Sequence, residues 1–141
     1  MNLYAESSAV LSWLFGEAEG RAVGESLAAA ELVVTSDLTL VECDRTLLRA
    51  QVTRCIGEVR AADRRGLLVA AAAHWNLLRL DLEVIERARR PFPGEPIRTL
   101  DALHLASALV ARAAVPGLAL LTLNAAMREA GRGLGFAVLP G

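Results

Sequence analysis

Four oxygen-bearing side chains stand where an α/β chain keeps its chemistry. Glu6 follows the first apolar segment, Glu42 and Asp101 sit near the starts of two helix-like stretches, and Asn124 follows the run Leu118–Leu121. In an open sheet covered by helices, ligands gather beyond the C-terminal strand ends, close to the point where strand order reverses. Carboxylates converging there repel one another unless a cation neutralises them. Oxygen donors without His or Cys suit a hard divalent ion, Mg²⁺ or Mn²⁺, and such ions serve phosphoryl chemistry, which points to phosphodiester hydrolysis. His104, three residues after Asp101 and on the same side of its helix, is a candidate assistant. Arg45 and Arg49, three and seven residues after Glu42, stand where they can face a phosphate.

Each of these residues also has a plainer reading. An acid in a first helical turn complements the macrodipole, Thr39 and Glu42 match a capping box, and Asn124 is a good N-cap. A lone helical histidine is more often structural, and arginines on a helix face are commonly solvated or ion-paired. What the plain readings leave unexplained is the gathering of all these groups at one edge of a sheet. Other catalytic patterns are absent: Ser7 and Ser8 lie in no GxSxG elbow, no GxxxxGK[ST] loop exists, and Gly131-Arg-Gly-Leu-Gly135 follows a helix and reads as a turn. Cys43 and Cys55, with only two histidines in the chain, supply neither a disulfide framework nor a zinc site and read as buried, reduced thiols of a cytosolic protein.

The elements that must position these groups alternate. Asn2–Ala5 reads as a strand and Ser7–Phe15 as a helix, then Glu17–Ala30 as a helix and the β-branched run Leu32–Val34 as a strand. Thr39 opens a helix to about Arg54 with the stripe Leu40, Cys43, Leu47 and Leu48. Glu58–Leu78 is Ala-rich and helical with a break expected at Gly66, followed by a brief strand Leu80–Leu82 and a helix Glu83–Arg90. Three prolines and a glycine make Pro91–Pro96 a loop that delivers the chain to Thr99, the expected cap of a helix through Arg112. Leu118–Leu121 is a strand, Asn124 caps a helix Ala125–Ala130 stopped by Gly131 and Gly133, and Phe136–Leu139 is a last strand. Apolar strands separated by helices predict a mostly parallel sheet of about five strands.

The chain's 141 residues fit one domain, 1–141, and 54% hydrophobic with 22% charged residues excludes disorder. Its longest uncharged apolar stretch, Gly66–Leu78, has 13 residues, short of the roughly 20 that span a bilayer, so no membrane association is expected. No basic region precedes an apolar one at the N-terminus, so no secretory signal is expected and the protein reads as cytoplasmic. A net charge of −1 gives no global basic field, and any nucleic-acid role must be local. All 15 basic residues are arginine, beside 26 alanines, a bias towards Ala and Arg.

With those positions in hand, the sequence resembles the PIN-domain family, most closely the VapC type of toxin ribonuclease. Leu3-Tyr-Ala-Glu6-Ser-Ser-Ala-Val-Leu is similar to the family's opening strand, acid, Ser/Thr pair and helix. Thr39-Leu-Val-Glu42 resembles its second acidic motif, with Arg49 downstream, and Asp101-Ala-Leu-His104-Leu-Ala resembles its Asp-Ala-x-His-x-Ala segment. Thr122-Leu-Asn124 falls where the family has a Thr, one residue, then an acid, and Gly135–Pro140 is a typical ending. The resemblance implies a three-layer α/β/α sandwich and a Mg²⁺- or Mn²⁺-dependent endoribonuclease, the toxin of a type II pair. It further implies an RNA substrate, a cognate antitoxin whose tail occupies the cleft, and a homodimer. It makes Glu6, Glu42 and Asp101 the catalytic and metal-holding acids, with Asn124 in the fourth, weaker position and Ser7, Arg49, His104 and Thr122 in support. Two departures stand out: Glu6 is one methylene longer than the usual Asp, and Asn124 brings an uncharged oxygen. The second departure keeps open an alternative, a PIN fold that binds RNA or a protein without cutting; a third reading is an unrelated α/β binding domain with ordinary helix caps.

Overall fold

In the computed structural model, which describes residues 1–141, the apolar runs become the strands of one parallel sheet. In chain order the elements are β1 (Asn2–Ala5), α1 (Ser7–Phe15), α2 (Gly20–Ala29), β2 (Leu32–Ser36), α3 (Asp37–Val52), α4 (Glu58–Ala72), β3 (Asn76–Leu78), α5 (Leu82–Ala88), α6 (Thr99–Ala114), β4 (Ala119–Leu121), α7 (Ala125–Gly133) and β5 (Val138–Leu139). The sheet order is β3-β2-β1-β4-β5 and every pair is parallel, with Tyr4 opposite Val34 on one side and Leu120 on the other. Chain direction across the sheet reverses at β1, so the crevice beyond β1 and β4 is the switch point.

Both faces of the sheet are covered, which is why β4, and β1 after Asn2, lack the polar alternation of a half-exposed strand. Leu3, Ala5, Val33 and Leu121 point to a layer with Val10 and Leu14 of α1, Val23 of α2, Cys43 of α3 and Leu68 of α4. Tyr4, Val34 and Leu120 point to the other, with Val84 of α5, Leu105 and Ala108 of α6 and Met127 of α7. The three-layer α/β/α sandwich with five strands is as expected.

Local chemistry moves several boundaries. The Thr39–Glu42 capping box does not form: α3 starts at Asp37, and its cap is Ser36, whose Oγ accepts the Leu38 N–H at 3.0 Å. Thr39 is buried instead, accepting from Thr35 at 2.8 Å, and Glu42 falls in the second turn. Likewise Arg98, not Thr99, precedes α6, and its side chain makes no cap bond. Gly66 lies inside an unbroken α4, since one helical glycine costs only about 1 kcal/mol. The third strand is Asn76–Leu78 and not Leu80–Leu82, because Asp81 caps α5 by accepting the Val84 N–H at 3.2 Å and so claims the residues after it. α2 starts at Gly20, not Glu17, where a Cβ would stand 2.3 Å from the Ser12 carbonyl oxygen. α7 runs through Gly131 to Gly133, and β5 is shorter than Phe136–Leu139. Of the two thiols only Cys43 is buried; Cys55 is exposed. No helix is long and apolar enough to cross a membrane.

Candidate active site

Beyond the C-terminal ends of β1 and β4, a chain of hydrogen bonds joins residues far apart in sequence. Glu6 leaves β1 with its backbone N–H on the Leu121 carbonyl at 3.0 Å, and it makes no side-chain cap for α1. Its buried carboxylate is instead held by hydroxyls. Oε2 accepts from Thr122 at 2.7 Å and from Ser8, while Ser7 stands 3.0 Å from Oε1. Ser7 carries one proton to share between Glu6 and the Glu42 Oε1, 2.7 Å away. Ser8 also accepts the Leu123 N–H at 3.0 Å, fastening α1 to the end of β4.

His104 is fully buried and bridges two elements. Its Nε2 lies 2.5 Å from Glu42 Oε1, and since a carboxylate only accepts, that nitrogen carries the proton. Its Nδ1 is hydrogen-bonded to the Tyr4 hydroxyl at 3.0 Å. Burial pushes the Tyr4 phenol well above its ordinary value, so it is neutral. Burial opposes ionisation of Glu42, yet bonds from His104 and Ser7 hold its carboxyl below the usual range. With Oε1 so engaged, Oε2 is the oxygen left for the cleft.

Asp101, half-buried in the first turn of α6, is in the opposite condition. Burial and then the Glu6 carboxylate raise its pKa, Glu42 adding to this while His104 and Asn124 oppose it. Its only side-chain partner is the Asn124 amide, whose nitrogen lies 3.4 and 3.5 Å from the two oxygens. The oxygen of that amide accepts the Met127 N–H at 3.1 Å, as the cap of α7. The capping role expected for Asn124 is therefore present, and it turns the amide oxygen away from Asp101. The cap takes one of the two lone pairs of that oxygen.

A cleft of about 600 Å³ opens on Glu42, Asp101 and Asn124, rimmed by Arg98, Thr99 and Leu100. Arg45 and Arg49 lie in an adjoining hollow that also touches Glu42. The donor chemistry suits a hard divalent ion, because Glu42 and Asp101 bring carboxylate oxygens to one cleft. As the side chains stand, no three His, Cys, Asp or Glu groups surround a common point, Glu42 being drawn to His104 and Glu6 wrapped in hydroxyls. The structure brings Glu6, Ser7, Glu42, His104 and Thr122 into one network and links Asp101 to Asn124. Ser8 and Tyr4 also belong to that network; their signals were a second hydroxyl beside Ser7 and a phenol in an otherwise apolar strand.

The PIN domain family model matches residues 3–133. The chain belongs to the PIN-domain family. Curated relatives of this PIN domain include ribonuclease VapC46 of Mycobacterium tuberculosis, 38% identical over 138 residues, covering 97% of this chain and 95% of the relative. Ribonuclease VapC35 of the same species is 32% identical over 140 residues, with the same coverage of 97% and 95%. Among solved structures, a toxin–antitoxin complex from Klebsiella pneumoniae superposes with a TM-score of 0.67 at 18% identity, over 99% of this chain and 98% of that one. The M. tuberculosis VapC20 toxin, a cleaver of the sarcin–ricin loop, superposes at 0.64 and 17% identity over 96% of both chains. These structures share the PIN fold.

Proposed function

We propose that this PIN domain is a VapC-type endoribonuclease that hydrolyses RNA phosphodiester bonds with Mg²⁺ or Mn²⁺, the toxin of a toxin–antitoxin pair. The observation that carries the reading is that Glu42 and Asp101, far apart in sequence, line one cleft beyond the ends of β1 and β4, with Glu6 joined to Glu42 through Ser7. Full-length relatives bearing the name ribonuclease support it. When bound, the ion supplies neutralising charge, a polarised phosphoryl group and an acidified water. Asp101 and Glu6 would hold it, Glu6 by turning from its hydroxyl partners, and Glu42 would present Oε2 towards the cleft. Ser7, Ser8 and Thr122 hold and aim the Glu6 carboxylate, and His104 fixes Glu42. Arg49 faces the phosphate. The partners of this reading are RNA, an antitoxin segment lying in the cleft and a second copy of the chain, in the cytoplasm.

One observation favours the alternative, a PIN domain that binds RNA or protein without cutting: the Asn124 oxygen accepts from Met127 and its amide protons face Asp101. Isothermal titration of Mn²⁺ into the antitoxin-free protein and into Asp101→Asn, with cleavage of a structured RNA in the same buffer, separates the two. Binding and cleavage that both vanish in Asp101→Asn support the nuclease. Binding without cleavage supports the alternative, and no binding in the wild type returns the acids to structural duty.

A further inference from the structure

The cleft that holds the acids has a neighbour. The cleft of about 600 Å³ with Arg98 on its rim and the hollow of about 520 Å³ holding Arg45 and Arg49 share Glu42 and Leu100. The two therefore adjoin at these residues, with Arg98 lining one and Arg45 and Arg49 the other. None of these three arginines makes an ion pair or a side-chain hydrogen bond; five others elsewhere in the chain are equally free, and what sets these three apart is that they line the hollows beside Glu42 and Asp101. Arg98 also stands just before α6 without capping it and is exposed, so the fold makes no use of its side chain.

We infer that Arg98 is a phosphate-positioning residue, gripping the RNA backbone on one side of the acids while Arg45 and Arg49 grip it on the other. The inference rests on the ribonuclease reading and adds the path of the strand. An unpaired guanidinium forks well onto phosphate, and a backbone laid across the two hollows puts its middle phosphate over Asp101 and Glu42, with flanking phosphates at the arginines. In these hollows, exposed Leu100 and Leu48 offer apolar contact but no ring on which a base can stack. Affinity on this path comes from phosphates, and so depends on salt and little on sequence. An acidic peptide would also meet the arginines, but its carboxylates would crowd Glu42 and Asp101 without a reacting phosphate between them.

The test is fluorescence anisotropy of a labelled single-stranded RNA on Asp101→Asn protein, with and without Arg98→Ala, across a salt series. One phosphate contact on a single strand is worth about 0.7 in the slope of log affinity against log salt. Arg98→Ala is expected to shrink the slope by about that much and weaken binding several-fold, and Arg98→Lys to keep the slope. In the cleaving protein Arg98→Ala raises KM more than it lowers kcat and leaves the melting temperature unchanged. An unaltered slope and KM in Arg98→Ala would overturn the assignment, as would lost binding of a polyglutamate peptide with RNA binding intact. If the wild type fails to cleave, the ribonuclease reading falls, and the salt slope still decides the role of Arg98.

Discussion

Asp101 carries the charge conflict of the site, and its consequences are measurable without RNA. Its folded pKa is raised, so the folded protein holds the proton more tightly and stability falls as pH rises from the ordinary Asp value through the raised one. Glu42 is lowered, and its contribution is lost as pH falls through its folded value. At neutral pH in EDTA, Asp101→Asn is therefore expected to melt about 1–2 °C above the wild type, a small gain because Asp101 is half in solvent. Millimolar Mn²⁺ is expected to raise the wild type and leave Asp101→Asn unmoved; the reverse order of melting in EDTA would show that the acids do not conflict. Asn124→Asp keeps a good N-cap but adds a fourth carboxylate beside Asp101, so it is expected to melt lower in EDTA and to bind Mn²⁺ more tightly by calorimetry. Removing the buried His104 ring breaks its bonds to Tyr4 and Glu42 and opens a cavity, and His104→Ala is expected to cost about 2–4 kcal/mol by urea denaturation. Glu6, Asp101 and Asn124 were legible because each follows or opens an element whose pattern is plain. The pairing of His104 with Tyr4 was not, since it joins residues 100 apart and only the sheet brings them together.

At the scale of elements, the sequence pattern located strands and long helices but misplaced their ends wherever two caps competed. Ser36 and Thr39 are both capping types three residues apart, and only the packing of Thr39 under Thr35 decides between them. Ser36→Ala is expected to cost about 1 kcal/mol of stability on unfolding by urea. The glycines of α7 misled for a related reason. Gly131 is there for closeness and not for a stop: a Cβ would stand 2.7 Å from Leu120 Cδ2, the side chain of the strand that leads to Thr122. Gly131→Ala is therefore expected to destabilise by about 1–3 kcal/mol despite alanine's better helix propensity, and a gain in stability would show that Leu120 moves aside freely. β3 was missed because its three residues continue the apolar Ala-rich run of α4, which at that length looks the same for strand and helix.

For the whole molecule, the parallel sheet with helices on both faces was readable because apolar strands with no alternation require cover on two sides. The partner surfaces were not readable, since exposed apolar side chains such as Val41, Val52, Val59 and Leu82 are spread over several elements. The proposed homodimer predicts a light-scattering mass of twice the 15.0 kDa chain, and a monomer at micromolar concentration would remove it. The strand order has a further consequence. β1 is made first and sits in the middle, but its neighbour β4 comes more than a hundred residues later, and Glu6 finds Thr122 across 116 positions. A chain still emerging from the ribosome therefore has its acids but no site. Catalytic competence arrives only after β4 and Thr122 have been made, when long-range strand pairing, the slow step of such topologies, closes the sheet.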